Sequence, residues 1–334
     1  MTAHEFHWPE GFQRIPDEDW VLQPLDRLAL HYDSVEQHGW YRNLDPTVEA
    51  ADAALAEGSL CIDYSGGTGI FTDRLLRRVG GRSVGVVIVD SSPKFLRLAL
   101  EKFRDHPQVA FRLIRWLRDE RRLQLLDEAL DPELAERGAE VIVSTNAVHL
   151  YYDLTDTVAS WRRVIEDGGR LFVQSGNVRN PEAPAGCWII DETVGHIHRA
   201  AVELVGLDDR WVRFRPFLED ERHMAAHREL RDKVFLPVRD LGWYIGVLEG
   251  AGFEVVESAC RPIEARVEDW YDFLAVYHDA VLGWAGGAEK VTGRDPDPDT
   301  VALRRRLLRV AMDRVFDRAG TFTACWSYLT AEPA

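Results

Sequence analysis

Leu60-Cys61-Ile62-Asp63-Tyr64-Ser65-Gly66-Gly67-Thr68-Gly69-Ile70-Phe71-Thr72-Asp73-Arg74-Leu75-Leu76 is the stretch on which the fold turns. Leu60 to Ile62 is a short apolar run and Ser65 to Gly69 a tight turn of small residues. Ile70, Phe71, Leu75 and Leu76 then recur at helical spacing. The reading is strand, glycine loop, helix. A residue without Cβ takes the backbone angles of such a loop and lets a ligand lie against the main chain. The helix start behind it adds a cluster of free N–H donors.

Two nucleotide-type ligands use this device, and acidic residues separate them. A dinucleotide fingerprint needs G-x-G-x-x-G, but from Gly67 the sequence runs G-T-G-I-F-T, with Thr72 in place of the third glycine. Asp63 stands three residues before Gly66, where a carboxylate meets a cationic amine rather than a pyrophosphate. A second apolar run, Val84 to Val89, ends in Asp90, where a carboxylate at a strand tip can take both hydroxyls of a ribose.

D-Y-S-G-G-T-G followed by V-G-V-V-I-V-D resembles the first two motifs of class I S-adenosylmethionine-dependent methyltransferases of the small-molecule type. Ser65-Gly66 replaces the family's usual glycine followed by a second small residue. The resemblance implies S-adenosylmethionine as cofactor, its methionine part over Ser65, Gly66, Gly67, Thr68 and Gly69, with Asp63 nearby. Asp90 and Ser91 would lie at the ribose. It also implies an α/β fold, a doubly wound, seven-stranded, mostly parallel Rossmann-like sheet whose last strand is antiparallel between the fifth and sixth.

The rest of the chain fits that frame. After Asp90, Ser91-Ser92-Pro93 signals a helix start, and Val109 to Leu117 reads as a third strand. Trp116 or Leu117 is expected against the adenine face, with Asp119 as the alternative. The arginines at 112, 115, 118, 121 and 122 read as a solvated face paired with acids. Ala139 to Thr145 is a fourth strand running into Asn146-Ala147-Val148-His149, at the carboxyl end where ligands bind in such sheets. Asn146 is expected at the cofactor. His149 is the candidate general base, with a hydrogen-bonded wall residue as the bland alternative. No [D/N]-P-P-[Y/F] follows the strand, which favours a small-molecule acceptor over a base or protein side chain. Arg170 to Ser175 is the fifth strand, Phe253 to Ser258 the sixth and Thr321 to Leu329 the last.

Residues 1–58 form an expected N-terminal cap. They hold Trp8, Trp20 and Trp40, and the resemblance implies that the segment with Tyr32, Tyr41, His31 and His38 folds over the cofactor, a cap that only covers apolar surface being the alternative. The core is 59–175, completed by 241–260 and 321–334. Excursions at 176–240 and 261–320 carry amphipathic aromatic stripes and read as helical lid insertions. His223 and His227 stand at i, i+4, but no glutamate lies between them as in H-E-x-x-H, so they read as surface or pocket histidines and no metal is assigned.

The balance of 40 basic and 56 acidic residues, a net charge of −16, opposes nucleic acid and anionic membranes as partners. It leaves room for a homodimer. Cys61, Cys187, Cys260 and Cys325 are far apart and read as small buried apolar groups. With no apolar run near 18 residues and a polar start at Met1, a cytoplasmic protein is expected. The expected function is methyl transfer to a small metabolite. Two other fates stay open: intramolecular cyclisation of the cofactor with release of methylthioadenosine, and binding without catalysis.

Overall fold

The structure, a computed structural model, describes residues 6–34 and 39–334; His38 and the side chain of Trp40 lie outside the described residues. Seven strands build the main sheet: β1 (Leu60–Tyr64), β2 (Gly85–Asp90), β3 (Val109–Leu113), β4 (Ala139–Thr145), β5 (Ile165–Ser175), β6 (Phe253–Arg266) and β7 (Thr321–Pro333). They hydrogen-bond in the order β6-β7-β5-β4-β1-β2-β3. β1 pairs in parallel with β2 and β4, β2 with β3, and β4 with β5. β7 runs antiparallel between β5 and β6. The expected topology is therefore present, and its switch point lies between β1 and β4, where a crevice opens at the strand carboxyl ends.

Both faces of the sheet are covered, which is why β1 and β2 read as continuous apolar runs. Cys61, Val86 and Val141 point to one buried cluster; Leu60, Ile62, Val87 and Ile142 point to the other. The helix after the glycine loop (Ile70–Val79) buries Ile70, Phe71, Leu75 and Val79, each side chain worth about 1.5–3 kcal/mol of apolar burial. After β2, Ser92 caps the Pro93–Phe103 helix by accepting from the Phe95 N–H.

Two expected strand ends shift. β3 stops at Leu113; Trp116–Leu117 instead pairs with Arg122–Leu123 as a small separate hairpin. β6 runs on from Ser258 to Arg266, through Pro262 and three charged residues, because it is an edge strand whose outer groups need no partner. The second excursion accordingly starts at 267.

The excursions are helical. The first contains α1 (Glu192–Leu207) and α2 (Glu221–Val234), the second α3 (Val267–Val276) and α4 (Pro298–Val315). Ile197, Ala201 and Val205 of α1 share one core with Leu307, Leu308, Ala311 and Met312 of α4, and with Phe322, Ala324 and Trp326 of β7. Cys260 and Cys325 are joined as a disulfide between β6 and β7, which corrects their reading as separate buried thiols. Antiparallel register sets Cys325 opposite Pro262, so a separation of 65 residues in sequence hides the pairing. Among the described residues no helix is long and apolar enough to cross a membrane.

Candidate functional site

The glycine loop is held by close contact rather than by flexibility alone. A Cβ at Gly66 would fall 2.7 Å from Asp63 Cγ and Oδ2 and 2.9 Å from Ile88 Cγ2. Ser65, Gly67 and Gly69 all have positive φ, at 60°, 57° and 79°. For Ser65 this is the left-handed region that a glycine takes more readily. Its hydroxyl accepts from Tyr151 Oη at 2.8 Å, which holds the turn in place.

Asp63 is wholly buried beneath the loop, and its Oδ2 accepts from Thr72 Oγ1 at 2.7 Å. Burial pushes its carboxyl up to about 7, against the lowering effect of the Thr72 bond. Asp63 Oδ1 and Thr68 Oγ1 are buried without a hydrogen-bond partner among the described residues. Asp90 accepts from Gly67 N at 2.8 Å and Ser92 N at 2.7 Å, and burial raises it to about 6. Two orphaned polar atoms and two raised carboxyls thus converge on one loop. An acceptor left over at Asp63 suits an ammonium group, so the residues present fit an amino-acid-bearing nucleoside cofactor.

Beyond the loop lies a cavity of about 270 Å³. Eight aromatic side chains line it: Tyr32, Tyr41, Phe95, Phe235, Trp270, Phe273, Tyr277 and Trp326. Asn146, His149, Gly176, Asn177 and Asp191 supply its polar wall. Tyr32 stacks on Phe95 at 4.9 Å and meets Tyr41 at 3.2 Å between hydroxyls. Burial raises both phenols, so both stay protonated.

His149 is fixed by a chain of unambiguous donors. The Asp191 N–H donates to Asn177 Oδ1 at 2.7 Å, which turns the Asn177 amide so that Nδ2 faces His149 Nε2 at 3.0 Å. An amide nitrogen only donates. His149 Nε2 is therefore the unprotonated nitrogen, and Nδ1 carries the proton toward Ser175 Oγ at 3.0 Å. Burial holds the ring down at about 4 and raises Asp191, 3.9 Å from Nε2, to about 7. The imidazole is neutral at pH 7, with its Nε2 lone pair held by the Asn177 amide at the cavity wall.

Asn146 takes a positive φ of 54°, which asparagine tolerates better than most residues, and sits in a second polar network. Its Oδ1 accepts from Trp326 Nε1 at 2.8 Å, and its Nδ2 donates to Asn43 Oδ1 at 3.1 Å. Gln174 Nε2 donates to the same Asn43 oxygen at 2.8 Å, and Thr47 donates to Gln174 Oε1. This network ties the N-terminal cap to β4, β5 and β7.

The structure brings Tyr32, Asn146 and His149 to the cavity, and Asp63, Ser65, Gly66, Gly67, Thr68, Gly69 and Asp90 to the loop. Ser91 is an exposed residue beside Asp90. Trp116 lies on the hairpin, 58% exposed, with Leu117 half-buried there; neither lines the cavity. Asn43, Gln174, Ser175, Asn177 and Asp191 escape the sequence reading. Nothing local marks them except the position of Gln174 and Ser175 at a strand's carboxyl end. His223 Nε2 bonds the Trp284 carbonyl and His227 Nε2 that of Ala280. Among the described residues no group of three or more His, Cys, Asp or Glu side chains is arranged to hold a metal ion.

A family profile described as a methyltransferase domain matches residues 62–173. Fusarielin synthase of Gibberella zeae is 26% identical over 150 residues, 45% of this chain and 5% of that protein. A hybrid PKS-NRPS synthetase of Emericella nidulans is 30% identical over 113 residues, 34% of this chain and 3% of that one. The chain thus spans 3% to 5% of the length of these curated relatives. Among solved structures, a SAM-dependent methyltransferase of Geobacter sulfurreducens in complex with S-adenosyl-L-homocysteine aligns at 13% identity and TM-score 0.44. That alignment covers 88% of this chain and 91% of that one. The citrinin polyketide synthase CMeT domain aligns at 23% identity and TM-score 0.28, over 35% of this chain and 28% of that one. The matched segment runs from β1 through β5 and contains the glycine loop, Asp63 and Asp90. Residues 62–173 therefore carry a methyltransferase domain, on the sheet order expected of the class I S-adenosylmethionine-dependent fold.

Proposed function

We propose that this chain methylates a small molecule enclosed in the aromatic cavity, with His149 as general base. The observation that carries the reading is the cavity itself, which joins His149 and eight aromatic rings at the carboxyl ends of β4 and β5. S-adenosylmethionine supplies, when bound, a methyl group on a sulfonium, and transfer chiefly requires an acceptor aligned with it. The chain's residues divide that work. Gly66, Gly67 and Gly69 let the backbone approach the methionine part, Asp63 Oδ1 takes its ammonium, and Asp90 takes the ribose hydroxyls. The aromatic rings exclude water and face a cationic centre favourably. His149 Nε2 takes the acceptor's proton after the acceptor displaces the Asn177 amide, and Asp191 beside it stabilises the imidazolium that forms.

Phe235 at the end of α2, and Trp270, Phe273 and Tyr277 on and just after α3, come from the two excursions; Tyr32 and Tyr41 come from the N-terminal cap. Cap and excursions together act as a lid over the acceptor. The cavity's volume limits the enclosed part of the acceptor to a compact group and favours an apolar or aromatic one.

The test is incubation of purified protein with labelled S-adenosylmethionine, alone and with a library of small nucleophiles. S-adenosylhomocysteine should form only with an acceptor. Rapid methylthioadenosine release with no acceptor would assign the site to self-alkylation of the cofactor. Inertness with every acceptor would mark a binding protein.

A further inference from the structure

A second cavity, of about 240 Å³, opens between α1 and α2 and shares no lining residue with the aromatic one. Its inner wall is a pair of imidazoles. His198 and His227 stack with centroids 5.5 Å apart and planes 17° from parallel. His198 Nδ1 accepts the indole N–H of Trp284 at 3.2 Å, and His227 Nε2 meets the Ala280 carbonyl at 3.1 Å. An indole nitrogen only donates and a carbonyl only accepts, so His198 is unprotonated at Nδ1 and His227 protonated at Nε2. Burial first, then Arg231 beside His198 and the His198 ring beside His227, holds His198 at about 4 and His227 at about 3. Both rings are neutral at pH 7.

Three arginines form the rim: Arg199 from α1, and Arg228 and Arg231 from α2. Among the described residues Arg199 and Arg228 make no ion pair or hydrogen bond, while Arg231 lies 3.5 Å from Asp232. The carboxylates of α1 are engaged elsewhere, Glu192 by Arg179 at 2.5 Å and Glu203 by Arg314 at 2.6 Å. Glu229 and Asp232 stand on the exposed side of α2. Three guanidinium groups round one concavity repel each other, and an anion between them relieves that repulsion.

We propose that this cleft binds a phosphate group, gripped by Arg199, Arg228 and Arg231. Three planar donor forks suit the oxygens of a tetrahedral phosphate better than the two of a carboxylate. The site lies outside the methyl-transfer cavity, but the same helices reach both: Asp191 precedes α1, and Val234 and Phe235 end α2. A phosphate bridging Arg199 and Arg228 therefore fastens together the two helices that flank the acceptor. The phosphate belongs either to the acceptor or to a separate molecule, and the two sources separate experimentally.

The experiment is calorimetric titration of the full chain with inorganic pyrophosphate, and with citrate, at fixed ionic strength. One saturable pyrophosphate site per chain is expected, weakened at least about tenfold in Arg199→Gln and again in Arg228→Gln, the size of a lost charged hydrogen bond. Both side chains are exposed, so the variants should fold, and unchanged affinity for S-adenosylmethionine confirms that they do. A phosphorylated acceptor would be turned over with a KM that rises in both variants; a separate effector would bind without being methylated. No saturable binding, citrate binding as tight as pyrophosphate, or undiminished binding in the double variant would overturn the assignment.

Discussion

Gly66→Ala adds one methyl group at the tightest point of the cofactor loop. The new carbon would sit 2.7 Å from Asp63 Cγ and Oδ2 and 2.9 Å from Ile88 Cγ2, where carbon contacts settle at roughly 3.5–4.0 Å. Neither neighbour can retreat at low cost. Ile88 is fully buried in β2, and the Asp63 oxygen is held by Thr72 at 2.7 Å. The loop must shift instead, at a cost typical of overpacking, about 1–3 kcal/mol of folding stability. On the proposed reading the same shift moves Asp63 from the cofactor's ammonium, so affinity for S-adenosylmethionine should fall about tenfold or more. Gly81→Ala is the control, because a Cβ there meets nothing within 4 Å and its φ is not in the left-handed region. Urea unfolding and calorimetry on the three proteins measure both effects. Gly66→Ala with the stability and affinity of Gly81→Ala would refute the account of this loop.

Asp90→Ala should cost about 1.5–3 kcal/mol of cofactor binding, since it removes the acceptor for the Gly67 and Ser92 N–H groups and the one proposed for the ribose; unchanged affinity by calorimetry would remove Asp90 from the site. Asp63, raised to about 7 by burial, must ionise to pair with an ammonium, so affinity should weaken as pH falls below about 7 and Asp63→Asn should flatten that limb. A pH-independent affinity from about 8 to about 5.5 in the wild type would contradict it. His149→Gln should lower kcat with little change in cofactor affinity, and loss of both together would make His149 a structural residue. Proteolysis within 176–240 and 267–320 should slow on adding cofactor and acceptor, and equal cleavage with and without them would argue against a closing lid.

The cofactor half of the site is legible because its chemistry is local. Asp63, the glycine loop and Asp90 lie within 28 residues, on two strands and one turn whose order the apolar runs declare. Even there the sequence hides why Gly66 is required: its neighbour Ile88 comes from the next strand. The stretch expected at the adenine is less legible, because Val109 to Leu117 reads as one strand by composition, yet the backbone breaks at Leu113 and carries Trp116 out to solvent.

The acceptor half is illegible for a different reason. Its polar wall is assembled from pairs such as Asn177 with His149 and Asn146 with Trp326, separated by 28 and 180 residues. Periodicity shows that α1 and α3 have apolar faces, but not that Trp270 reaches both the core and the cavity while Val194 reaches the core. His149 carries the functional consequence. The sequence marks a histidine at a strand end, but the availability of its nitrogen is decided by Asn177, which a backbone N–H of Asp191 orients from the first excursion. Replacing Asn177 by Asp would put an acceptor where Nδ2 now donates and favour a proton on Nε2. The excursion therefore sets the protonation of the candidate base as well as covering it.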